Sequence, residues 1–422
     1  MESNPNQINA WQFKYQFLLA ILAVLTFFTS LDVYVGRLGI PLAPLHFLAA
    51  FTLAAIPLFF SVFSRWKYLP PSIIIWSITY YTISSLSILV FQNLPDIQDA
   101  FEKRVLYIFF LLLMTLLFSK YEIIQLWARK IIVVVGFINI GLFIYEFYNP
   151  GGLGIQDAVG RSAGFYADAN DAGAALILSM IFGIELLKPK WRFIFILLIS
   201  LGVFLTFSRG TLLILLILIV TLVAIKIIPK KQLLISILAI AVILQLFAVQ
   251  AALFGNIYSL LSDNDSASRI LSIGNSSTGS ASVTEDSRLE LVKEALNKFA
   301  HSPFIGSGIE SSKSNTAKSD STNPDLITGM IQLQKPHNMY LIFMVEHGFL
   351  GFFIYPLLIL GAIWNAQGKA KKLGIVFAIF FLIRGLFSHT MLQDRFFLIS
   401  IALMASMSRQ SQLKQNLEEF TN

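Results

Sequence analysis

The chain has 422 residues, 56% of them hydrophobic and only 13% charged, with a mean hydropathy of +0.72. Soluble domains carry about 25% charged residues, so this much apolar surface does not fit a single water-soluble core and asks for a bilayer. The lack of cysteine excludes disulfides, thiolate chemistry and Cys-ligated metal, and the net charge of +7 is placed so that it marks topology rather than a nucleic-acid surface.

The first apolar stretch, Gln16 to Val35, is longer than a signal-peptide core and no small-x-small cleavage site follows it. It reads as a retained first span. At about 20 apolar residues per crossing, about twelve spans are expected. They lie near 16–35, 41–63, 71–91, 105–119, 125–147, 169–187, 191–207, 210–228, 232–254, 339–364, 372–388 and 394–408, the fourth and twelfth being short. With the N-terminus inside, the even-numbered connections hold Arg65 and Lys67; Lys120, Arg129 and Lys130; Lys188, Lys190 and Arg192; Lys226, Lys230 and Lys231; and Lys369, Lys371 and Lys372. The tail adds Arg409 and Lys414, whereas the short outer connections carry only Arg37, Lys103, Arg104, Arg161, Arg209 and Arg395. That bias is the positive-inside pattern.

Residues 255–338 break the run of short loops and fall outside by this topology. Ser262 to Thr284 is rich in Ser, Asn and Gly, a composition that buries no core. Ser287-Arg288-Leu289-Glu290 then reads as a capping box. Leu289, Val292, Leu296 and Phe299 follow at helical spacing until Pro303 stops the helix. Ser311 to Thr328 is polar again.

Ionisable groups near hydrocarbon are expensive and point to function. Arg209 stands between two spans with no room for a loop, beside Gly210, which permits close backbone approach. Arg288 opens the amphipathic helix against its dipole. His337, between Pro336 and Asn338, precedes the tenth span and suits a general base. Arg384 and His389 end the eleventh span, and Arg384 needs an anion, either Asp394 or a substrate group. His347, deeper in the tenth span, reads as a neutral hydrogen-bonded core residue. The histidines at 46, 301, 337, 347 and 389 show no His-x-x-x-His or HExxH spacing, and there is no P-loop. No metal site and no cofactor is expected.

His337-Asn338, nine residues, then Gly348-Phe349-Leu350-Gly351 reproduces the His-[Asn/Ser/Gln]-x9-Gly-x-x-Gly signature of bacterial O-antigen ligases. Ser208-Arg209-Gly210 resembles the family's Ser-Arg-Gly, and Ser287-Arg288-Leu289-Glu290 running to Gly306-Ser307-Gly308 resembles its outer-loop helix with an essential Arg. Gly164 to Asn170 resembles its glycine-to-Asn-Pro-Asn stretch, with Asp168-Ala169-Asn170 where the family has Asn-Pro-Asn. The resemblance covers roughly 150–405; the N-terminal spans match only in hydropathy.

The resemblance implies an all-α polytopic protein of the bacterial inner membrane, with about twelve transmembrane helices and one large periplasmic loop containing short helices. Residues 1–150 would be N-terminal transmembrane helices, 151–408 the ligase-like membrane domain including loop 255–338, and 409–422 a cytoplasmic tail. It implies a metal-independent, inverting glycosyltransferase with a glycan on a polyprenyl (undecaprenyl) diphosphate as donor. The acceptor is lipid A–core in ligases and another lipid-linked glycan in polymerases, which share the membrane domain. His337 would be the base, and Arg209 and Arg288 would bind the diphosphate. Asn170, Ser208, Asn338, Arg161 and Arg384 are the candidate substrate contacts. A transporter of lipid-linked sugars is the alternative from another class, and inverted repeats with broken helices would mark it.

Overall fold

The computed structural model describes residues 5–60, 66–91, 97–149, 152–153, 161–230, 280–313 and 335–421. The expected ninth span, 232–254, lies outside the described residues, as do most of the polar stretches 262–284 and 311–328. Among the described residues every regular element is a helix. In chain order these are α1 (Pro5–Ala23), which continues as a π-turn at Val24–Phe28, then α2 (Leu31–Arg37), α3 (Pro44–Phe59), α4 (Pro71–Val90), α5 (Ile97–Phe118) and α6 (Glu122–Tyr148). There follow α7 (Ala169–Gly183), α8 (Pro189–Leu205), α9 (Arg209–Ala224), α10 (Ser280–His301), α11 (Met339–His347), α12 (Ile354–Ala362), α13 (Gly368–Arg384) and α14 (Arg395–Thr421).

Ala10–Phe28, Pro71–Val90 and Glu122–Tyr148 are long and apolar enough to cross a membrane, while Pro44–Phe59, Ala169–Gly183, Arg209–Ala224 and Phe349–Ala362 are apolar but shorter. Helix α7 is the centre of the bundle. Every residue from Ala169 to Gly183 except Asn170 is buried, which is how a helix apolar on all sides must sit. Its neighbours approach through small residues, as packing within a bilayer favours. A Cβ on Gly136 of α6 would meet Ser179, and one on Gly173 would meet Thr211 of α9. Outward faces are apolar, with Ile75, Ile78 and Leu89 on α4 and Val134 and Ile138 on α6 exposed.

Four expectations need correction. Helices α5 and α14 run well beyond the short spans read at 105–119 and 394–408. Charged residues depressed the hydropathy there without breaking the helix, and Lys103 closes an i,i+4 pair with Asp99 at 2.6 Å. Lys103 and Arg104 are therefore helical, not loop residues. Helix α10 begins by Ser280, so Ser287 is not its cap and Arg288 lies about two turns inside it. Nothing between Ser280 and Ser287 breaks a helix, and a capping-box pattern inside a helix carries no boundary. The buried face of α10 is also rotated from the one read off the sequence. Leu291 and Ala295 are buried whereas Leu289 and Leu296 are about half exposed. Finally, the stretch 339–364 is not one helix. It breaks after His347 at Gly348, turns through Phe349–Phe353 and resumes as α12.

The break explains two glycines of the signature. Gly348 has φ +69°, and a Cβ there would run into the Phe304 carbonyl; a Cβ on Gly351 would run into the Phe343 carbonyl. Phe349 N donates to Pro303 O at 2.7 Å, which ties the corner to the end of α10.

The two ends of the bundle differ in charge. At one, Lys414 pairs with Glu122 at 2.7 Å, and Arg409 Nε donates to Lys67 O at 2.9 Å. Arg192 Nη1 donates to Ile227 O at 2.8 Å, and Lys369 and Lys372 act on Glu185. These are cations of the even-numbered connections, gathered together. At the other end three arginines are held by buried acids: Arg104 by Glu346, Arg384 by Asp171 and Arg395 by Asp32.

Candidate functional site

The site is built where α7 and α9 begin. Asp168 is extended, and its Oδ1 accepts from Asn170 N at 2.6 Å and Asp171 N at 2.9 Å, capping α7. The acid that departs from the family's Asn-Pro-Asn thus has a structural task. Ser208 caps α9, its Oγ accepting from Thr211 N at 3.3 Å. The turn before it puts Phe207 at φ 50°, a left-handed conformation costing a bulky residue roughly 1–2 kcal/mol. That turn brings the α9 cap against α7. Asn170 Oδ1 accepts from Ser208 Oγ at 2.8 Å and from Arg161 Nη2 at 2.9 Å, while Arg161 Nε donates to Thr206 O at 3.1 Å. Three of the sequence-selected residues therefore meet in one network.

Arg209 is the first residue of α9 and is exposed. It makes no hydrogen bond or ion pair with another described residue. A Cβ on Gly210 would meet no described atom within 4 Å, so among the described residues no backbone makes the close approach that this glycine permits.

The second group stands at the start of α11. Asn338 is its N-cap, with Oδ1 accepting from Leu341 N at 3.1 Å. Met339 N donates to Gly385 O at 2.9 Å, fixing this start against the end of α13. His337 is exposed and its Nδ1 lies 3.0 Å from Nδ1 of His389, the rings meeting edge to face with centroids 4.5 Å apart. Burial, together with His337 and the cations Lys335 and Arg384, pushes His389 down to about 4, against the pull of Asp168. Asp168 of the α7 cap thus acts on His389 electrostatically.

Arg384 joins the two groups. Its Nη2 donates to Asp171 Oδ1 at 3.0 Å, with both side chains buried. The anion expected to be Asp394 or a substrate is therefore Asp171. Hydropathy does not reveal which helices are neighbours, and α7 is the one whose first turn reaches Arg384. Asp394 still acts on Asp171. A cavity of only about 20 Å³, bordered by Asp32, Asp171, Asp394 and Arg395, lies behind them.

Arg288 is placed by its helix; its side chain lies outside the described residues. Helix α10 runs back along α11 from the Pro303–Phe304 corner, with Ala295 packed on Leu341 and Val345. Arg288 is seven residues further on, about 10 Å along the axis, toward the α11 start where His337 stands.

A cavity of about 220 Å³ adjoins the histidines and is lined by Tyr80, Lys103, Tyr107, Glu310, Lys335 and His389, among others. Its floor is braced by Glu346, which holds Arg104 with one oxygen and accepts from Glu310 N at 3.0 Å and Ser312 Oγ at 3.3 Å with the other. His347 is buried and 2.9 Å from Arg104, the hydrogen-bonded core residue expected. Glu310 bridges Lys335 at 2.6 Å and Lys313 at 3.0 Å. Burial alone would raise its carboxyl, but the two lysines outweigh it and hold Glu310 below the usual range. None of this cavity was visible in the sequence, because its walls come from α4, α5, α11 and two loops. The only hint was that Lys103 and Arg104 break the positive-inside pattern.

Among the described residues, fold and site together define an all-helical architecture with membrane-length apolar helices and a polar, cation-rich site at one end. Residues 193–355 match the family model for O-antigen ligase, the family to which the sequence motifs point. The matched stretch contains Ser208-Arg209-Gly210, Arg288 and the whole His337–Gly351 signature; Arg161, Asn170, Arg384 and His389 lie outside it. No curated protein matches the chain.

Proposed function

We propose that the chain is a multi-pass glycosyltransferase of the bacterial plasma membrane, with about twelve crossings and its site on the periplasmic face. It transfers a glycan from a polyprenyl (undecaprenyl) diphosphate to an acceptor sugar hydroxyl, as in ligation of O-antigen to lipid A–core. The observation that carries this reading is the O-antigen ligase match over residues that hold Arg209 and His337, at one end of the bundle.

The chemistry follows from the groups present. A sugar hydroxyl is a weak nucleophile, and His337 takes its proton as the new bond to the anomeric carbon forms. The bond to the diphosphate breaks in the same step, so a single displacement inverts the centre. Arg209 and Arg288 stabilise the charge growing on the leaving group. The N-terminal ends of α7 and α9 add to that field. Arg161, set by Asn170 and Thr206, is a further cation beside it. Leu213, Leu216 and Val220 form an exposed apolar stripe at helical spacing down α9 from Arg209, along which the isoprenoid chain would lie. The cavity with Tyr80 and Tyr107 would seat a sugar of the acceptor.

A polymerase joining lipid-linked repeat units would use the same donor and the same groups, differing only in acceptor. The break at Gly348 is the feature that would suit a transporter, but it is locked against the backbone of Phe304 and Phe343. The test is to incubate purified protein with lipid-linked glycan from a strain lacking it. Transfer only when lipid A–core is added identifies a ligase, and a ladder without it a polymerase. Lipid movement across vesicles with no new glycosidic bond overturns the enzyme reading.

A further inference from the structure

We propose that His389 is the positioning partner of His337: it accepts the Nδ1–H of His337 and so holds that ring in the tautomer whose Nε2 is basic. The proposal rests on His337 being the base and adds what makes it one.

The geometry poses a choice. A hydrogen bond between two ring nitrogens 3.0 Å apart needs one N–H and one lone pair. If His389 donates, His337 accepts at Nδ1 and carries its own hydrogen on Nε2, which leaves the ring no basic atom. If His337 donates, its Nε2 holds the lone pair. Base catalysis by His337 therefore requires His389 to be the acceptor, and an acceptor must be neutral. The surroundings favour that state. His389 is the more buried of the two rings. The groups facing it are Lys335 and His337 from the segment before α11, Arg384 from the end of α13 and Asp168 from the α7 cap; Lys103 and Glu310 share its cavity. Their balance disfavours a second positive charge, and the depressed titration of His389 agrees.

In the reaction the acceptor O–H bond breaks as the oxygen bonds to the anomeric carbon, and the proton goes to Nε2 of His337. The electron pair of the old glycosidic bond leaves on the diphosphate oxygen. The His337 imidazolium then keeps its Nδ1–H on His389, so the charge is met by a neutral acceptor where a catalytic triad would use a carboxylate.

The test uses the purified full chain with lipid-linked glycan extracted from a strain that lacks it. His389→Ala is expected to lower kcat by about 100-fold with little change in KM. His389→Asn, whose amide oxygen takes the place of the ring acceptor, is expected to recover most of that loss. His389→Asp is expected to move the acid limb of the pH–rate profile to higher pH, because a carboxylate stabilises the imidazolium. Wild-type kcat and pH profile in all three overturn the proposal, as does a loss in His389→Ala that His389→Asn does not recover. Should His389→Ala fail to fold, ¹⁵N chemical shifts of the histidines decide. Protonated Nδ1 with unprotonated Nε2 at His337 is the expected state, and the reverse tautomer overturns it. Full activity in His337→Ala sinks the base reading itself; an inactive His337→Ala beside unaffected His389 variants sinks only the pairing.

Discussion

At the residue scale, buried charges set the terms. Arg384 and Asp171 are both nearly inaccessible, and removing one leaves the other without compensation. Arg384→Met is expected to cost about 3 kcal/mol or more, and Arg384→Met with Asp171→Asn is expected to restore part of it. Thermal unfolding in detergent measures both, and equal melting of the single and double variants would show the pair to be uncoupled. His389 gives a pH signature. Its folded value of about 4 lies below the ordinary histidine value of 6.5, so between the two the unfolded chain binds a proton the folded chain does not. Stability should fall as pH drops from about 6.5 toward 4. His389→Asn should flatten that fall, and an unchanged slope would contradict it. His337 and Arg209 stand out in the sequence because a cation or imidazole at the edge of hydrocarbon is costly. The pairing of His337 with His389 was not legible there, because 52 residues separate them and the two loops are brought together by tertiary contacts such as the docking of Met339 on Gly385.

At the element scale, apolar runs located most helices, and charge inside helices hid their ends. The α10 case shows the limit of periodicity. Leu289, Val292, Leu296 and Phe299 have helical spacing, yet the residues that pack on α11 are Val292, Ala295 and Phe299, and Leu291 is buried while Leu289 and Leu296 are not. Leu289 and Leu296 are about half exposed in spite of their spacing, so the stripe does not mark the core. The signature glycines were legible as a motif but not as a corner. Gly351→Ala drives a methyl into a backbone carbonyl, and its expected cost is about 1–3 kcal/mol. Gly141→Ala, with nothing within 4 Å of the new methyl, is the control expected to melt at or above the wild-type temperature. Equal effects of the two would show that the corner tolerates a side chain.

At the scale of the whole molecule, the sorting of cations between ends, first read from the sequence, reappears as contacts: Lys67 with Arg409, Glu122 with Lys414. The sequence lacks cysteine, so single cysteines report sidedness directly. In intact cells a membrane-impermeant maleimide is expected to label Gln393→Cys, beside the cavity, and to reach Asn416→Cys only after permeabilisation. The opposite pattern would invert the topology. The central proposal is glycosyl transfer by His337 with fixed cations at the diphosphate. The most direct measurement is therefore the yield of new glycosidic bond from purified protein and lipid-linked glycan in EDTA, wild type against His337→Ala. Product from the wild type and none from the variant is the expected result; equal product from both, or none from either with lipid A–core present, would contradict it.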